Sequence, residues 1–164
     1  MSNYGYLKFV TSLRWADLAS DLGFAVRLNL STPRAKFRME GIDHFLWPAV
    51  QLRQIAFLYD ELGAPFAYAS WAFLTPSVAD ELRSNPERPL EMQEWNEGTQ
   101  LWIMDVVAPG GGALRLLRAI QRAMPHHDAG FALRRRPDGG SRVSQVSWTR
   151  APRRVQPAPM MLIS

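Results

Sequence analysis

The stretch from residue 101 to 124 restricts the possible folds more than any other part of the chain. Leu101-Trp-Ile-Met-Asp-Val-Val107 is almost continuously apolar, which predicts a central strand buried on both faces. Ala108-Pro-Gly-Gly-Gly112 then turns the chain, and Ala113 to Met124 follows with helical spacing. That helix is expected to carry Leu114, Leu117, Ile120 and Met124 on one face and Arg115, Arg118 and Arg122 on another. A buried strand passing through glycines into an amphipathic helix calls for an α/β domain.

The remaining segments fit around that unit. Leu7, Val10, Leu13, Leu18 and Leu22 recur at steps of three to five residues and predict a helix over 6–22. Ser31-Thr32-Pro33 has the chemistry of a helix start. Ile42 to Gln54 reads as helical, with Pro48 at a junction. Gln54 to Tyr59 and Phe66 to Leu74, joined through Asp60 to Pro65, predict a β-hairpin. Thr75-Pro76-Ser77 opens a short helix through Arg83, and Ser84 to Gly98 is a polar, acidic connection. Phe131 to Arg135 and Arg142 to Trp148 form two closing strands around the turn Pro137-Asp-Gly-Gly140. The expectation is one mixed α/β domain over 1–150, with a mostly antiparallel central sheet flanked by helices. A Pro/Arg-rich tail occupies 151–164.

Composition narrows the class. With 164 residues and 47% hydrophobic content, the chain can bury one sizeable core and is no disordered segment. The absence of cysteine excludes disulfides, thiolate nucleophiles and cysteine metal sites, and fits a reducing compartment. The N-terminus carries no charged segment followed by an apolar core, and no apolar run is long enough to cross a bilayer. A soluble, cytoplasmic protein is expected. The net charge is 19 − 15 = +4, yet residues 131–164 alone hold seven Arg against Asp138. That asymmetry suits either an acidic partner or a merely solvated basic end.

Several constellations can carry chemistry. Gly110, Gly111 and Gly112 ahead of a helix can present backbone N–H groups to a phosphate or an oxyanion, or can simply make a tight turn. The following Lys-Ser/Thr of a nucleotide loop is missing, as is the G-x-G-x-x-G spacing. Asp105, between Met104 and Val106, is costly to bury unless it is paired or functional. His44, beside Asp43, is a candidate general base or a satisfied boundary residue. His126-His127, with no cysteine or acidic cluster, makes a poor metal site, and no metal is expected. Arg115, Arg118 and Arg122 either dock an acidic helix or form a solvated face. No nucleic-acid motif accompanies the basic residues, so no nucleic-acid partner is expected.

These segments resemble the RTX toxin-activating lysine acyltransferases, which activate haemolysin-type protoxins. The resemblance runs from Ser31 to about Ser147. It rests on Pro48-Ala-Val-Gln51 with Gln54, on Pro65-Phe-Ala-Tyr-Ala-Ser-Trp71, and on Trp102-Ile-Met-Asp105 with Ala108-Pro109. Phe131, Arg135, Pro137 and Val143-Ser-Gln-Val-Ser147 extend it. The resemblance implies a GNAT-like fold that takes a fatty acyl chain from acyl carrier protein and passes it to the ε-amine of internal lysines. It also implies a cytoplasmic homodimer with no bound cofactor, the donor being an acyl phosphopantetheine thioester. Gly110 to Gly112 would take the arm, and Arg115, Arg118 and Arg122 would dock the acidic carrier.

The family's catalytic pair is a His and an Asp, and Asp105 occupies the Asp position. The segment Ser-x-x-His reads Ser31-Thr32-Pro33-Arg34 here, so Arg34 stands where the family has its His, with Ser31 carried over to the donor side. The difference bears on mechanism. A lysine ammonium, with a pKa of ~10.4, must lose a proton before it attacks, and an arginine cannot take that proton. Arg34 can hold a carboxylate, a phosphate or an oxyanion instead. Three accounts stand open: His44 supplies the base from a His-x-x-Trp-Pro string; Asp105 acts alone through water; or the chain is a degenerate carrier- or peptide-binding module. A small peptide is an alternative acceptor to a large protoxin.

Overall fold

A computed structural model describes residues 5–11, 14–33, 39–127, 129–136 and 140–147. In chain order the elements are β1 (Tyr6–Phe9), α1 (Trp15–Leu30), α2 (Met39–Gly41), a π turn (Ile42–Leu46), α3 (Trp47–Gln51), β2 (Ile55–Tyr59), β3 (Pro65–Leu74) and α4 (Pro76–Ser84). A 3-10 turn (Gln93–Trp95), β4 (Gln100–Val107), α5 (Ala113–Ala123), β5 (Ala129–Arg135) and β6 (Ser141–Ser147) complete it. The six strands lie in one sheet in sequence order, antiparallel throughout except for β4 and β5, which run parallel with α5 as their crossover. The expected mixed α/β domain with a mostly antiparallel sheet is what forms.

Each face of the sheet carries its own core. On one, Leu18, Ala25 and Leu28 of α1, Val50 of α3 and Leu82 of α4 pack on Phe57, Tyr68, Leu74 and Trp102. On the other, Leu116 and Ile120 of α5 lie on Leu58, Ala67, Ala69, Trp71 and Ile103. Alternation along β3 sorts its residues between the two cores, Tyr68 and Ala72 to the first, Ala67, Ala69 and Trp71 to the second. The alanines on the second face let α5 approach closely. Thr75 caps α4 by accepting from the Val78 N–H at 3.3 Å, as its Thr-Pro sequence predicts.

Three expectations need correction in whole or in part. Residues 6–22 are not one helix: Tyr6–Phe9 pair with Tyr59–Ala56 as an edge strand, and α1 begins only at Trp15. The sheet offers those four residues a ladder of hydrogen bonds that their own periodicity does not reveal. Ser31-Thr32 closes α1, and the chain turns 3-10 helical again at Pro33, so the expected helix start is met only in part. The Ser31 and Thr32 N–H groups bond to the Leu28 and Asn29 carbonyls, and Thr32 Oγ1 donates to the Asn29 carbonyl at 2.7 Å. On α5, Ile120 is buried and Leu117 and Met124 pack against the same cluster as expected, but Leu114 is 68% exposed and Leu116 and Ala119 are buried instead. Ile42 to Gln51 is helical as expected, but it changes from π to α geometry at Trp47, just before Pro48, which has no N–H to donate. The turn at 137–139, Trp148 and the tail at 151–164 lie outside the described residues.

The stripe that α1 buries is Leu18, Asp21, Ala25, Leu28 and Asn29, so two of its members are polar. Asp21 is 5% exposed. Its carboxyl is raised above the ordinary value of 3.8, first by burial and then by Asp17, with Lys8 opposing. Tyr59, whose ring stacks on Tyr6 at 5.1 Å, is pushed up to about 12, first by burial and then by Asp21 and Tyr6. A carboxyl raised by folding adds stability at pH values below 3.8, and this is lost as the pH climbs through its raised value. Asp21→Asn therefore raises the melting temperature at neutral pH, and the gain vanishes below pH 3.8; thermal unfolding across that range checks it.

Candidate active site

Asp105 reaches its place through a break in register. Ser70 of β3 pairs with Asp105, but Trp71 pairs with Ile103, so Met104 is an extra residue and β4 bulges there. Strict alternation puts Trp102 and Met104 on the α1 face and Asp105 on the α5 face. The bulge cancels one step, and Met104, Asp105 and Val107 all belong to the α1 side. There Asp105 is 6% exposed, and the Tyr68 hydroxyl donates to its Oδ2 at 2.8 Å. Asn29, from the last turn of α1, donates from Nδ2 to the Tyr68 oxygen at 2.7 Å and to the Ala25 carbonyl at 2.9 Å. A buried polar chain thus links α1, β3 and β4 and includes the carboxylate.

The β4–β5 ladder ends beside this carboxylate. Its register partners are Trp102 with Phe131 and Ile103 with Ala132, and neither Asp105 nor Val107 has a ladder partner in β5. Below the break the two strands are held by side chains: Trp102 stacks on Phe131 at 5.0 Å, and the Arg83 guanidinium lies 4.3 Å from the centre of the Phe131 ring. Beyond Val107 the Gly111 N–H closes a turn onto the Ala108 carbonyl at 3.0 Å. Gly112 caps α5 at φ 96°, a left-handed conformation, and supplies no side chain to bond the first-turn N–H groups. A Cβ on Gly112 would sit 2.6 Å from Leu58 Cδ1, while one on Gly110 would meet nothing within 4 Å.

The other expected residues divide. Arg115 Nη2 donates to the Gly5 carbonyl and ties α5 to the chain ahead of β1. Arg118 and Arg122 stand exposed one turn apart, joined by the bond from Arg122 Nε to the Arg118 carbonyl at 3.2 Å. Ser31 turns its hydroxyl back to the Arg27 carbonyl at 3.4 Å. His44 lies on the π turn and lines a cavity of about 330 Å³ with Glu40, Phe45, Glu87 and Arg135. Asp105 does not line that cavity, so His44 and Asp105 do not share it. The Arg135 guanidinium lies 4.0 Å over the Phe45 ring. His127 packs against Phe73, ring centres 5.5 Å apart. Arg34 lies outside the described residues. Sequence reasoning missed the roles of Tyr68 and Asn29. The available signal was Asn29 itself, a polar residue one helical turn beyond Ala25 on a mostly apolar stripe.

A family model described as the RTX toxin acyltransferase family, HlyC, matches residues 14–148. The lysine-acyltransferase RtxC of Vibrio cholerae serotype O1 is similar at 33% identity over 75 residues, 46% of this chain and 48% of that one. The RTX-II toxin-activating lysine-acyltransferase ApxIIC of Actinobacillus pleuropneumoniae is 36% identical over 88 residues, 53% of this chain and 52% of that one. The leukotoxin-activating lysine-acyltransferase LktC serotype A1 of Mannheimia haemolytica is 34% identical over 124 residues, 75% of this chain and 66% of that one. The matches to the first two span about half the length of each relative. Among solved structures, a GNAT-family acetyltransferase from Listeria monocytogenes aligns over 79% of this chain and 76% of that one, with a TM-score of 0.46 and 10% identity. An acetyltransferase from Corynebacterium glutamicum aligns over 82% and 78%, with a TM-score of 0.43 and 15% identity. With the family model spanning more than half of its residues, this chain belongs to the RTX toxin acyltransferase family.

Proposed function

We propose that this protein moves a fatty acyl group from the phosphopantetheine thioester of acyl carrier protein to the ε-amine of an internal lysine on a protoxin or a smaller peptide. It would do so in the cytoplasm, as a homodimer. The observation that carries the reading is a buried carboxylate, Asp105, placed by a bulge where the β4–β5 ladder ends and seven residues ahead of Gly112, the cap of α5. Family membership adds the reaction class.

The chemistry follows from those parts. The lysine nitrogen attacks the thioester carbonyl carbon, the N–C bond forms and the C–S bond breaks. The amine gives up a proton and the sulfur leaves as a thiol. Asp105 is the group we assign to take the amine proton, because Arg34 cannot and His44 faces a cavity that Asp105 does not line. The glycine turn brings the first turn of α5, whose N–H groups no side chain caps, to offer backbone donors to the phosphate of the arm, while the Gly111 N–H is spent on the Ala108 carbonyl. Arg118 and Arg122, exposed on the same helix, suit an acidic carrier, while Arg115 serves the scaffold through Gly5. A second reading, a carrier- or peptide-binding module without turnover, rests on Arg34 at the family's His position.

Intact-mass spectrometry of a lysine-containing acceptor, mixed with this protein and long-chain acyl carrier protein, separates the two. Acyl mass on the acceptor, reduced roughly 100-fold or more by Asp105→Asn, supports the transferase. Carrier binding without transfer supports the module, and neither binding nor transfer overturns both. Gly112→Ala, strained at φ 96° and crowding Leu58, costs about 2 kcal/mol and lowers the melting temperature, whereas Gly110→Ala does not.

A further inference from the structure

We infer that Asn29 is a positioning residue for the acyl-transfer reaction: its amide, oriented by a carbonyl of its own helix, makes the Tyr68 hydroxyl a donor to Asp105 and so keeps that carboxylate an acceptor. The inference rests on the transferase reading for its function and on hydrogen-bond chemistry for its direction.

The direction is set step by step. The Ala25 carbonyl can only accept, so the Asn29 atom 2.9 Å from it is the amide nitrogen. Turning the amide over would place two acceptor oxygens against each other. The second proton of that nitrogen points to the Tyr68 oxygen at 2.7 Å. A phenol has one proton; with its oxygen already accepting from Asn29, that proton goes to Asp105 Oδ2 at 2.8 Å. Asn29, Tyr68 and Asp105 are 7%, 0% and 6% exposed, so bulk water has little access to reorder the chain. The Tyr68 ring is held beside Phe57, centres 6.0 Å apart, which prevents the hydroxyl from swinging away.

The arrangement has a cost that packing alone does not explain. Asn29 Oδ1 is buried with no hydrogen-bond partner among the described residues. A leucine on that stripe would leave no polar atom unsatisfied. What the amide does and leucine cannot is tell the Tyr68 hydroxyl which way to donate. With the order reversed, the hydroxyl's lone pairs would face the carboxylate oxygens, acceptor against acceptor.

The test is a double-mutant cycle on the acyl-transfer assay, with thermal melts confirming that every variant is folded. Asn29→Leu is expected to lower kcat roughly tenfold with KM unchanged, and Tyr68→Phe by a similar factor. The double variant should be no worse than Tyr68→Phe alone, because Asn29 acts through Tyr68. Losses that multiply overturn the inference. Asn29→Asp replaces the donor by an acceptor that draws the Tyr68 proton away, so it should fall below Asn29→Leu; activity equal to the parent's also overturns it. A second readout needs no turnover. In carbon-13-labelled protein, the Asp105 Cγ resonance at fixed pH should move in the same direction in Asn29→Asp and in Tyr68→Phe. A resonance unmoved by Asn29→Asp refutes the proton order, whether or not acyl transfer occurs. An inactive parent protein in which that resonance does move would leave the order standing and refute the transferase reading.

Discussion

A carboxylate on the central strand of a two-faced sheet cannot be left to chance, and here its provision depends on a one-residue slip between β3 and β4. Without the extra residue at Met104, Asp105 would face α5 and the apolar cluster of Leu116, Ile120 and Ile103, among side chains with nothing to donate. With it, Asp105 meets Tyr68, and through Tyr68 the end of α1. The bulge therefore selects which helix serves the carboxylate. It also falls just past Ile103, the last β4 residue paired with β5, so the irregularities on both sides of β4 coincide at one place.

Helix α1 carries the burden of that choice. Its buried stripe holds Asp21 and Asn29, neither of which an apolar core would favour. Asp21 is disfavoured as a charge by its burial, and Asn29 leaves one oxygen without a partner among the described residues. Sites that hold polar groups against the packing preference are where function and stability part company. The Asn29 case has a visible return, the ordered hydroxyl on Asp105. Asp21 stands outside the Asn29–Tyr68–Asp105 hydrogen bonds and helps to raise Tyr59.

On the opposite face, α5 does two jobs with one end. Gly112 starts the helix in a left-handed conformation and lets it sit against Leu58, and the same absence of a side chain leaves the first-turn N–H groups uncapped by any side chain. Arg115 then anchors the helix to Gly5, while Arg118 and Arg122 stay outward. Three arginines that look alike in sequence are thus placed differently.

Much of the site was legible before the fold. The hairpin of β2 and β3, the strand–glycine–helix unit and the lone carboxylate in an apolar strand are signals carried within a dozen residues, by periodicity and turn chemistry. So were the motifs that place the chain in its family. What the sequence could not decide were matters of register and distance. Tyr6–Phe9 became a strand because β2 had an edge to fill, and Ser31-Thr32 ended a helix because α1 had carbonyls to satisfy. Asn29 met Tyr68 across 39 residues, and Arg115 met Gly5 across 110. Local sequence determines which residues can make a strand, a turn or a helix. Only tertiary structure decides which face a side chain takes and whose hydrogen bond it receives, because a single slipped residue in a ladder reverses the first and thereby changes the second.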